Sequence, residues 1–459
     1  MKILFVVPQL DFADHIAVAY LSAMAKQLRH STYFCILSEH SFLEEVSKIK
    51  PDIIAYSVNV MGFGQIVENH KRAKQKHHFV SIMGGPQATF SPDTFDQSEM
   101  DAYCVGEGEY AFRDFLIKVE NGESFDEVAN LITKKGKNGV RPLIRNLDEL
   151  PPADRDLTIS NSFLKNVPKK TFYATRGCPY RCAYCCNSYY QELYKGKGPI
   201  VRRFSVERLI REIEAVKRQY RMDFVKFGDD LFAMKADSWL EEFTDKYSKR
   251  IGVPFNCFLR FDLVDEGLLK LLKNAGCFSV HLSVDSTSDH VREKILARQM
   301  RKVNIAEKLK MITDYGINTW VNFMLAVPES SLQDDLDTIE LCRKAKVTYP
   351  SYSVTVPMEG TGLYRYCMEK GLIASSSYVG DMEGCSLRPT LPCFSEKEKD
   401  IRYNVYLVGA LITKFPFPIN KIAIWVIKVF PPNKLFKKIR SFLYEYYISN
   451  KIFKLRKEI

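Results

Sequence analysis

The chain has 459 residues, 46% hydrophobic and 26% charged, with a formal net charge of +11; the length implies two or three domains, and the composition excludes a disordered or fibrous chain. The charge is uneven, since residues 421–459 hold ten Lys/Arg against Glu445 and Glu458, and without a zinc-finger, recognition-helix or RNA-binding-strand signature nucleic acid is not an expected partner. No apolar run reaches the ~18 residues of a membrane span.

Lys2 to Pro8 is a short continuous apolar run, as expected of a buried parallel strand. A helical stretch follows with Ala17, Leu21, Met24, Ala25 and Leu28 on one face, and strand-like runs recur at 33–37, 53–58 and 79–83 with helical stretches between. This alternation predicts a Rossmann-like doubly wound α/β domain over 1–133. Ligands of such sheets sit outside the carboxyl ends of the strands. That selects Gln9 and Leu10, Ser57 and Asn59, Gly84-Gly85-Pro86, and Gly106-Glu107-Gly108-Glu109. A Gly-Gly pair permits close backbone approach to a ligand and equally marks a tight turn. Residues 134–170, rich in Lys, Asn, Asp and Pro without a sustained period, read as a linker.

At 171–187 a β-prone segment is broken by Gly177 and Pro179, and Cys178, Cys182 and Cys185 follow in a C-x3-C-x2-C spacing. Three thiolates in one loop can wrap a cubic iron–sulfur cluster, and because such cubes usually take four, a set of three leaves one iron open. A zinc site calls for a fourth Cys or His at a regular spacing, and none follows. Disulfides call for an oxidising compartment, whereas eight of the twelve cysteines are scattered singly and no signal peptide is recognisable, so a reducing, cytoplasmic setting is expected. Cys186 is read as a spectator, because neighbouring side chains on an extended backbone point opposite ways.

Beyond the loop, Ser205 caps a helical stretch, and a strand over 224–227 ends in Gly228-Asp229-Asp230. Further strands at 256–261, 279–284, 319–326 and 352–356 make six β/α units, a partial (β/α)6 barrel over 171–364 with its site at the strand C-termini. Residues 365–459 are expected to form a helical, basic extension. There Leu435, Phe436, Ile439, Phe442, Leu443, Tyr446 and Tyr447 share one helical face with Lys434, Lys437, Lys438 and Arg440 around it. Such a face either packs on the barrel or docks on a membrane surface.

The cysteine loop, with Tyr184 before the third cysteine, resembles the signature C-x3-C-x-aromatic-C of the radical S-adenosylmethionine (AdoMet) superfamily. The segments MGGPQATFSPD and VGEGEYAFRDFL resemble the cobalamin-binding domain that precedes the radical domain in one large subgroup, and FLRFDLVDEGLLKLLKNAGC, HLSVDS, NFMLAVPESS and VPMEGTGLY resemble its later blocks. The resemblance implies a [4Fe-4S] cluster on Cys178, Cys182 and Cys185, whose open iron chelates AdoMet and cleaves it to a 5′-deoxyadenosyl radical. It places AdoMet against Tyr184, Gly228, Asp229, Asp230, Arg260, Ser283, Asp285, Ser286 and Val327, and cobalamin against the strand-end loops named above. The Asp-x-His-x-x-Gly element that ligates cobalt from below is absent, as is common in this subgroup. Two positions depart from the pattern: Asp285 stands where Glu is usual, and Ala326 where Gly is frequent. Arg260 is read either as a partner of the AdoMet carboxylate or as half of a structural ion pair.

Implied overall is an anaerobic, cobalamin-dependent methyltransferase acting on an unactivated carbon of a small-molecule or lipid-like substrate, with an electron donor such as flavodoxin or ferredoxin. Relatives of the same layout perform radical oxidative cyclisation or ring rearrangement, and a non-catalytic iron–sulfur protein is the third reading. The basic tail 421–459 adds a candidate peripheral contact with the inner face of the membrane.

Overall fold

A computed structural model describes residues 1–10, 13–374 and 388–455. Parts of the expected C-terminal extension, 375–387 and 456–459, lie outside the described residues. Two compact units result: Met1–Lys170 with Tyr189–Phe204 and Ala215–Arg221, and Thr171–Ser188 with Ser205–Glu214 and Met222–Ile459.

The first unit is built on a seven-stranded sheet of β1 (Lys2–Val7), β2 (Ser31–Ile36), β3 (Ile53–Ser57), β4 (Val80–Gly84), β5 (Ala102–Cys104), β6 (Leu131–Thr133) and β7 (Gly136–Lys137), in the order β2-β1-β3-β4-β5-β6-β7. Strands β1 to β5 pair in parallel and β6 and β7 antiparallel. Along β1, Leu4 and Val6 join one apolar core while Ile3, Phe5 and Val7 join another. With both faces covered, the strand is apolar at successive positions instead of alternating. Residues 134–170, linker-like in composition, supply β7, helix Arg155–Ser160 and the buried Leu143, Ile144, Leu147 and Leu150. Arg155 is fixed there by a buried ion pair with Asp14 at 2.7 Å.

The second unit holds a six-stranded sheet of β8 (Lys169–Phe172), β9 (Phe224–Phe227), β10 (Phe255–Phe258), β11 (Cys277–Asp285), β12 (Asn318–Leu325) and β13 (Tyr349–Val354). The order β13-β12-β11-β10-β9-β8 follows the chain, and β9 to β13 pair in parallel. This is the partial barrel expected from the alternation. Asp237, Asp265, Asn304 and Ser331 cap the crossover helices Ser238–Arg250, Glu266–Ala275, Ile305–Asp314 and Leu332–Lys344 with their side chains. In β12, Thr319, Val321, Phe323 and Leu325 are buried, and Trp320, Asn322 and Met324 on the opposite face are only half-buried.

The C-terminal region is helical: Gly362–Glu369, Glu396–Ile412, Ile419–Val429, Lys434–Tyr446 and the π turn Tyr447–Ile452. Helix Glu396–Ile412 opens with a capping box and buries Arg402 on Asp335 at 2.6 Å. The terminal turn packs Ile448, Ile452 and Phe453 on Phe224 and Tyr349, and the Ser279 hydroxyl donates to the Ile452 carbonyl at 2.6 Å. The apolar face read along Lys434–Tyr446 is divided. Leu443 is buried and Phe436 and Ile439 are half-buried, whereas Leu435, Phe442 and Tyr446 stay exposed.

Candidate functional site

The cysteine loop is held by main chain. The Ala183 N–H donates to the Leu296 carbonyl and the Ala183 carbonyl accepts from the Leu363 N–H, both at 2.8 Å. Cys182 is buried and Cys178 and Cys185 are half-buried. Cys186 is exposed and opens helix Cys186–Leu193, so its backbone is helical and not the extended one expected, and its thiol stays in hydrogen-bonding reach of Cys185. Arg260 and Arg298 each direct a guanidinium N–H at the Cys182 sulfur from 3.8 Å. Arg260 is further committed, to Asp262 at 2.9 Å and to the face of Tyr180 at 3.5 Å, while the Tyr180 hydroxyl donates to Asp262.

Burial pushes the Cys178 thiol up to about 11, whereas a hydrogen bond with Cys186, followed by one from the Asn187 main chain, opposes burial and brings Cys185 down to about 7. Among the described residues no three His, Cys, Asp or Glu side chains close on a single metal ion. Three thiols on one loop, with two buried cations aimed at one of their sulfurs, fit a wider anionic cluster instead.

At the end of β11 the structure brings together Tyr184, Ser283, Asp285 and Ser286. Asp285 accepts from Tyr184 at 2.6 Å, pairs with Arg298 at 2.9 Å, and takes the Ser283 hydroxyl on its other oxygen. Arg298 also donates to the Tyr184 oxygen at 3.0 Å and the Ser283 carbonyl at 2.8 Å, and Arg292 donates to the Ser286 carbonyl. Asp285 itself sits at φ +66°, a left-handed conformation uncommon for a residue with a side chain. Ala326 has φ +59°, which accounts for a position where glycine is comfortable; its N–H donates to the Asp335 carboxylate that Arg402 holds. Val327 is buried in the same cluster as Tyr184 and Leu296.

At the end of β9, a Cβ on Gly228 would stand 2.8 Å from the Tyr173 ring, and its N–H donates to the Phe172 carbonyl. One oxygen of Asp229 accepts from the Ala174 N–H (2.8 Å), the Thr175 N–H (2.5 Å) and the Thr175 hydroxyl (2.8 Å). Its other oxygen is buried without a partner, and burial lifts the carboxyl to about 7 despite those donors. Asp230 is exposed. The strand end thus offers a preorganised acceptor beside a cysteine loop.

In the first unit the strand ends are made of main chain. The Val58 N–H donates to the Gly84 carbonyl and the Gln87 N–H to the Val58 carbonyl, which draws Ser57, Asn59, Gly84, Gly85 and Pro86 together. Gly85, at φ +90°, would place a Cβ 2.9 Å from the Val58 carbonyl. Asn59 accepts the Gly62 N–H at 3.0 Å; Gln9 is exposed and Leu10 half-buried. Gly106, at φ +79°, lies under Tyr194, whose oxygen would be 2.0 Å from an added Cβ and accepts the Glu107 N–H at 2.6 Å. Glu107 is taken by Arg202 in a fork at 2.8 and 3.0 Å, Gly108 lies over Cys104, and Glu109 is buried at the start of helix Glu109–Glu120.

Tyr173, Tyr180, Tyr194, Arg202 and Arg298 escaped sequence reasoning. None carries a local signal, because each acts on a residue distant in the chain.

Residues 172–342 match the radical SAM superfamily and residues 2–116 the B12 binding domain. An uncharacterized methyltransferase of Pyrococcus horikoshii is 25% identical over 399 residues, 82% of this chain and 85% of that protein. An anaerobic magnesium-protoporphyrin IX monomethyl ester cyclase of Rubrivivax gelatinosus is 21% identical, covering 81% of this chain and 70% of its own length. Among solved structures, the cobalamin-dependent S-adenosylmethionine radical enzyme OxsB with aqua-cobalamin and S-adenosylmethionine bound superimposes with a TM-score of 0.70, at 16% identity, over 98% of this chain and 73% of that one.

Proposed function

Because the chain is a cobalamin-dependent radical AdoMet enzyme, carrying both the B12-binding and the radical AdoMet domain, we propose that it transfers a methyl group to an unactivated carbon of a small-molecule or lipid-like substrate. The observation that carries this reading is the three-thiol loop with two guanidinium groups on Cys182, beside the unpartnered buried oxygen of Asp229. Extended likeness to a methyltransferase favours methyl transfer, and the cyclase relative supplies the second reading, radical oxidation or cyclisation.

When bound, the reduced cluster with AdoMet supplies a hydrogen-abstracting radical, and cobalamin supplies the methyl group. Cys178, Cys182 and Cys185 hold the cluster, and Arg260 and Arg298 offset its negative charge and ease its reduction. Asp229 takes the AdoMet ammonium on its free oxygen, a charge-assisted bond that its other oxygen preorganises. Tyr184, Ser283 and Asp285, locked by Arg298, shape the wall beside it, with Gly228 and Val327 contributing main chain. Ser57, Asn59 and Gly84 to Pro86 would cradle cobalamin.

In this reading 1–133 is the cobalamin region, 134–170 its connection, 171–364 the radical barrel and 365–459 an extension. The enzyme works in the reducing cytoplasm with a flavodoxin or ferredoxin donor, in peripheral contact with the membrane. The test is anaerobic growth with methyl-labelled methionine, with and without the gene. A metabolite or lipid carrying one added labelled methyl is expected, and a product that loses hydrogen without gaining label replaces methyl transfer with cyclisation. In purified protein, Cys182→Ala removes cluster iron and 5′-deoxyadenosine formation together; full cleavage by that variant overturns the cysteine assignment.

A further inference from the structure

Helix Ile419–Val429 has the sequence INKIAIWVIKV, apolar on nearly every side, which is the pattern of a helix covered all round. Among the described residues, one side is covered by protein. Asn420 and Ile427 are buried, Asn404 donates to the Ile427 and Phe430 carbonyls at 3.0 and 2.8 Å, and Asn420 donates to Glu340 at 3.3 Å. The helix is therefore pinned, and its outer side is a fixed surface. On that side Phe417, Ile419, Ile422, Trp425, Val429 and Phe430 are each 50–69% exposed. Ten of the fourteen large apolar residues exposed among the described ones fall within 417–446. At 100° per residue, Ile419, Ile422, Trp425 and Val429 span an arc of about 120°, and Lys421 and Lys428 flank one edge of it.

We propose that this face is an interfacial anchor, seated in the headgroup layer of an anionic bilayer with Trp425 at the acyl boundary. The proposal rests on the peripheral contact in the preceding reading and not on methyl transfer. Length decides the orientation: eleven residues reach about 16 Å, half of the ~30 Å hydrocarbon core, and no described helix is long and apolar enough to cross a membrane. Charge decides the occupant. Described residues 417–455 carry eight Lys/Arg against Glu445 alone, so a second copy meets repulsion while anionic headgroups meet attraction. The two lysines snorkel from the edge of the apolar arc, an arrangement suited to lying on a membrane. On the following helix, Leu435, Phe442 and Tyr446 are likewise exposed and share one face.

The test is vesicle flotation of the full-length protein, purified anaerobically with its cofactors, using phosphatidylcholine alone and phosphatidylcholine with phosphatidylglycerol. Binding to the anionic vesicles is expected, weakened about tenfold at 0.5 M salt by screening, with tryptophan emission quenched by brominated acyl chains. Trp425→Glu is expected to lower partitioning at least tenfold. Lys421→Glu with Lys428→Glu is expected to abolish the preference for anionic lipid, and both proteins should melt like the parent because Trp425 and Lys421 are exposed and Lys428 is only half-buried. Trp425→Phe should keep binding and lose the quenching. Absence of vesicle binding at low salt, equal binding by Trp425→Glu, or a lipid-free dimer that Trp425→Glu dissolves each overturns the anchor. Vesicle binding without labelled methyl transfer overturns only the methyl reading, and labelled product without vesicle binding overturns only the anchor.

Discussion

The strand ends of the two units are made of different materials. Those of the first unit are mostly main chain: Gly85 against the Val58 carbonyl, Gly106 beneath Tyr194, and amides bonded across neighbouring loops, with the Glu107–Arg202 fork beside them. Those of the second unit are buried charge: Asp229, the Asp285–Arg298 pair, and Asp335 with Arg402. A surface of main chain tolerates changes of charge around it and not an added methyl group. A surface of buried charge tolerates small changes of shape and not the loss of one partner, because the survivor is left unpaired in a poor solvent.

The largest break should come from the charged end. Arg402→Met is expected to cost about 3–5 kcal/mol in denaturant unfolding, the usual consequence of orphaning a buried charge. Burial already lifts Asp335 to about 6 despite Arg402, and losing the guanidinium raises it further, so the deficit should shrink as pH falls towards 6, where the variant's carboxyl takes up its proton before the parent's, and level off below that. Arg402→Met combined with Asp335→Asn should recover most of the loss, and a double variant as unstable as the single one would show that packing, not charge, is at stake.

At the main-chain end, Gly106→Ala is expected to cost about 2–3 kcal/mol, from the left-handed conformation and the collision with the Tyr194 oxygen. Tyr194→Phe in the same chain should restore part of it. Gly84→Ala, whose Cβ meets nothing closer than 4.0 Å, should cost under about 1 kcal/mol. Equal losses at the two glycines would erase the distinction drawn here.

A further effect is a slope. Asp229 has a folded pKa of about 7, above the unfolded carboxyl value, so the folded chain binds that proton more readily. Its contribution to stability is full below about pH 4 and fades as pH rises through 7. From pH 5 to 7 the parent should therefore lose about 2 kcal/mol relative to Asp229→Asn, measured by urea midpoints across pH. The Asn oxygen can still accept from Ala174 and Thr175, so the variant should fold while binding AdoMet more weakly. A parallel pH course for both proteins would assign the burial of Asp229 no energetic weight.

The sequence showed what is local or periodic. Strands β1 and β3 were legible because burial on both faces leaves a continuous apolar run, and the cysteine spacing because a loop presents its ligands within a few residues. Contacts between distant positions were not legible. Arg298 reaches Cys182 across more than a hundred residues, and Tyr194 and Arg202 follow the cysteine loop in sequence yet complete the first unit around Gly106 and Glu107. The helical wheel of Lys434–Tyr446 looks the same for packing and for docking. Tyr349 stacks on Tyr447 and Tyr406 receives Arg440, which turns part of that helix inward. The left-handed backbone at Ala326 showed only through the resemblance, as a position where glycine is frequent, since alanine itself is not a marker for one.

The bond from Ser279 to the Ile452 carbonyl sets a timetable for synthesis. β13 ends at Val354, and the turn Tyr447–Ile452 that lies against Phe224 and Tyr349 is translated roughly 5–20 s later at ordinary elongation rates. Throughout that interval the nascent barrel has its full complement of strands but lacks the plug at its base, leaving Phe224 and its aromatic neighbours uncovered. A pause or premature stop anywhere between the last strand and that turn would present chaperones with an open, sticky sheet, so faithful expression depends on codons far from any residue that touches a cofactor.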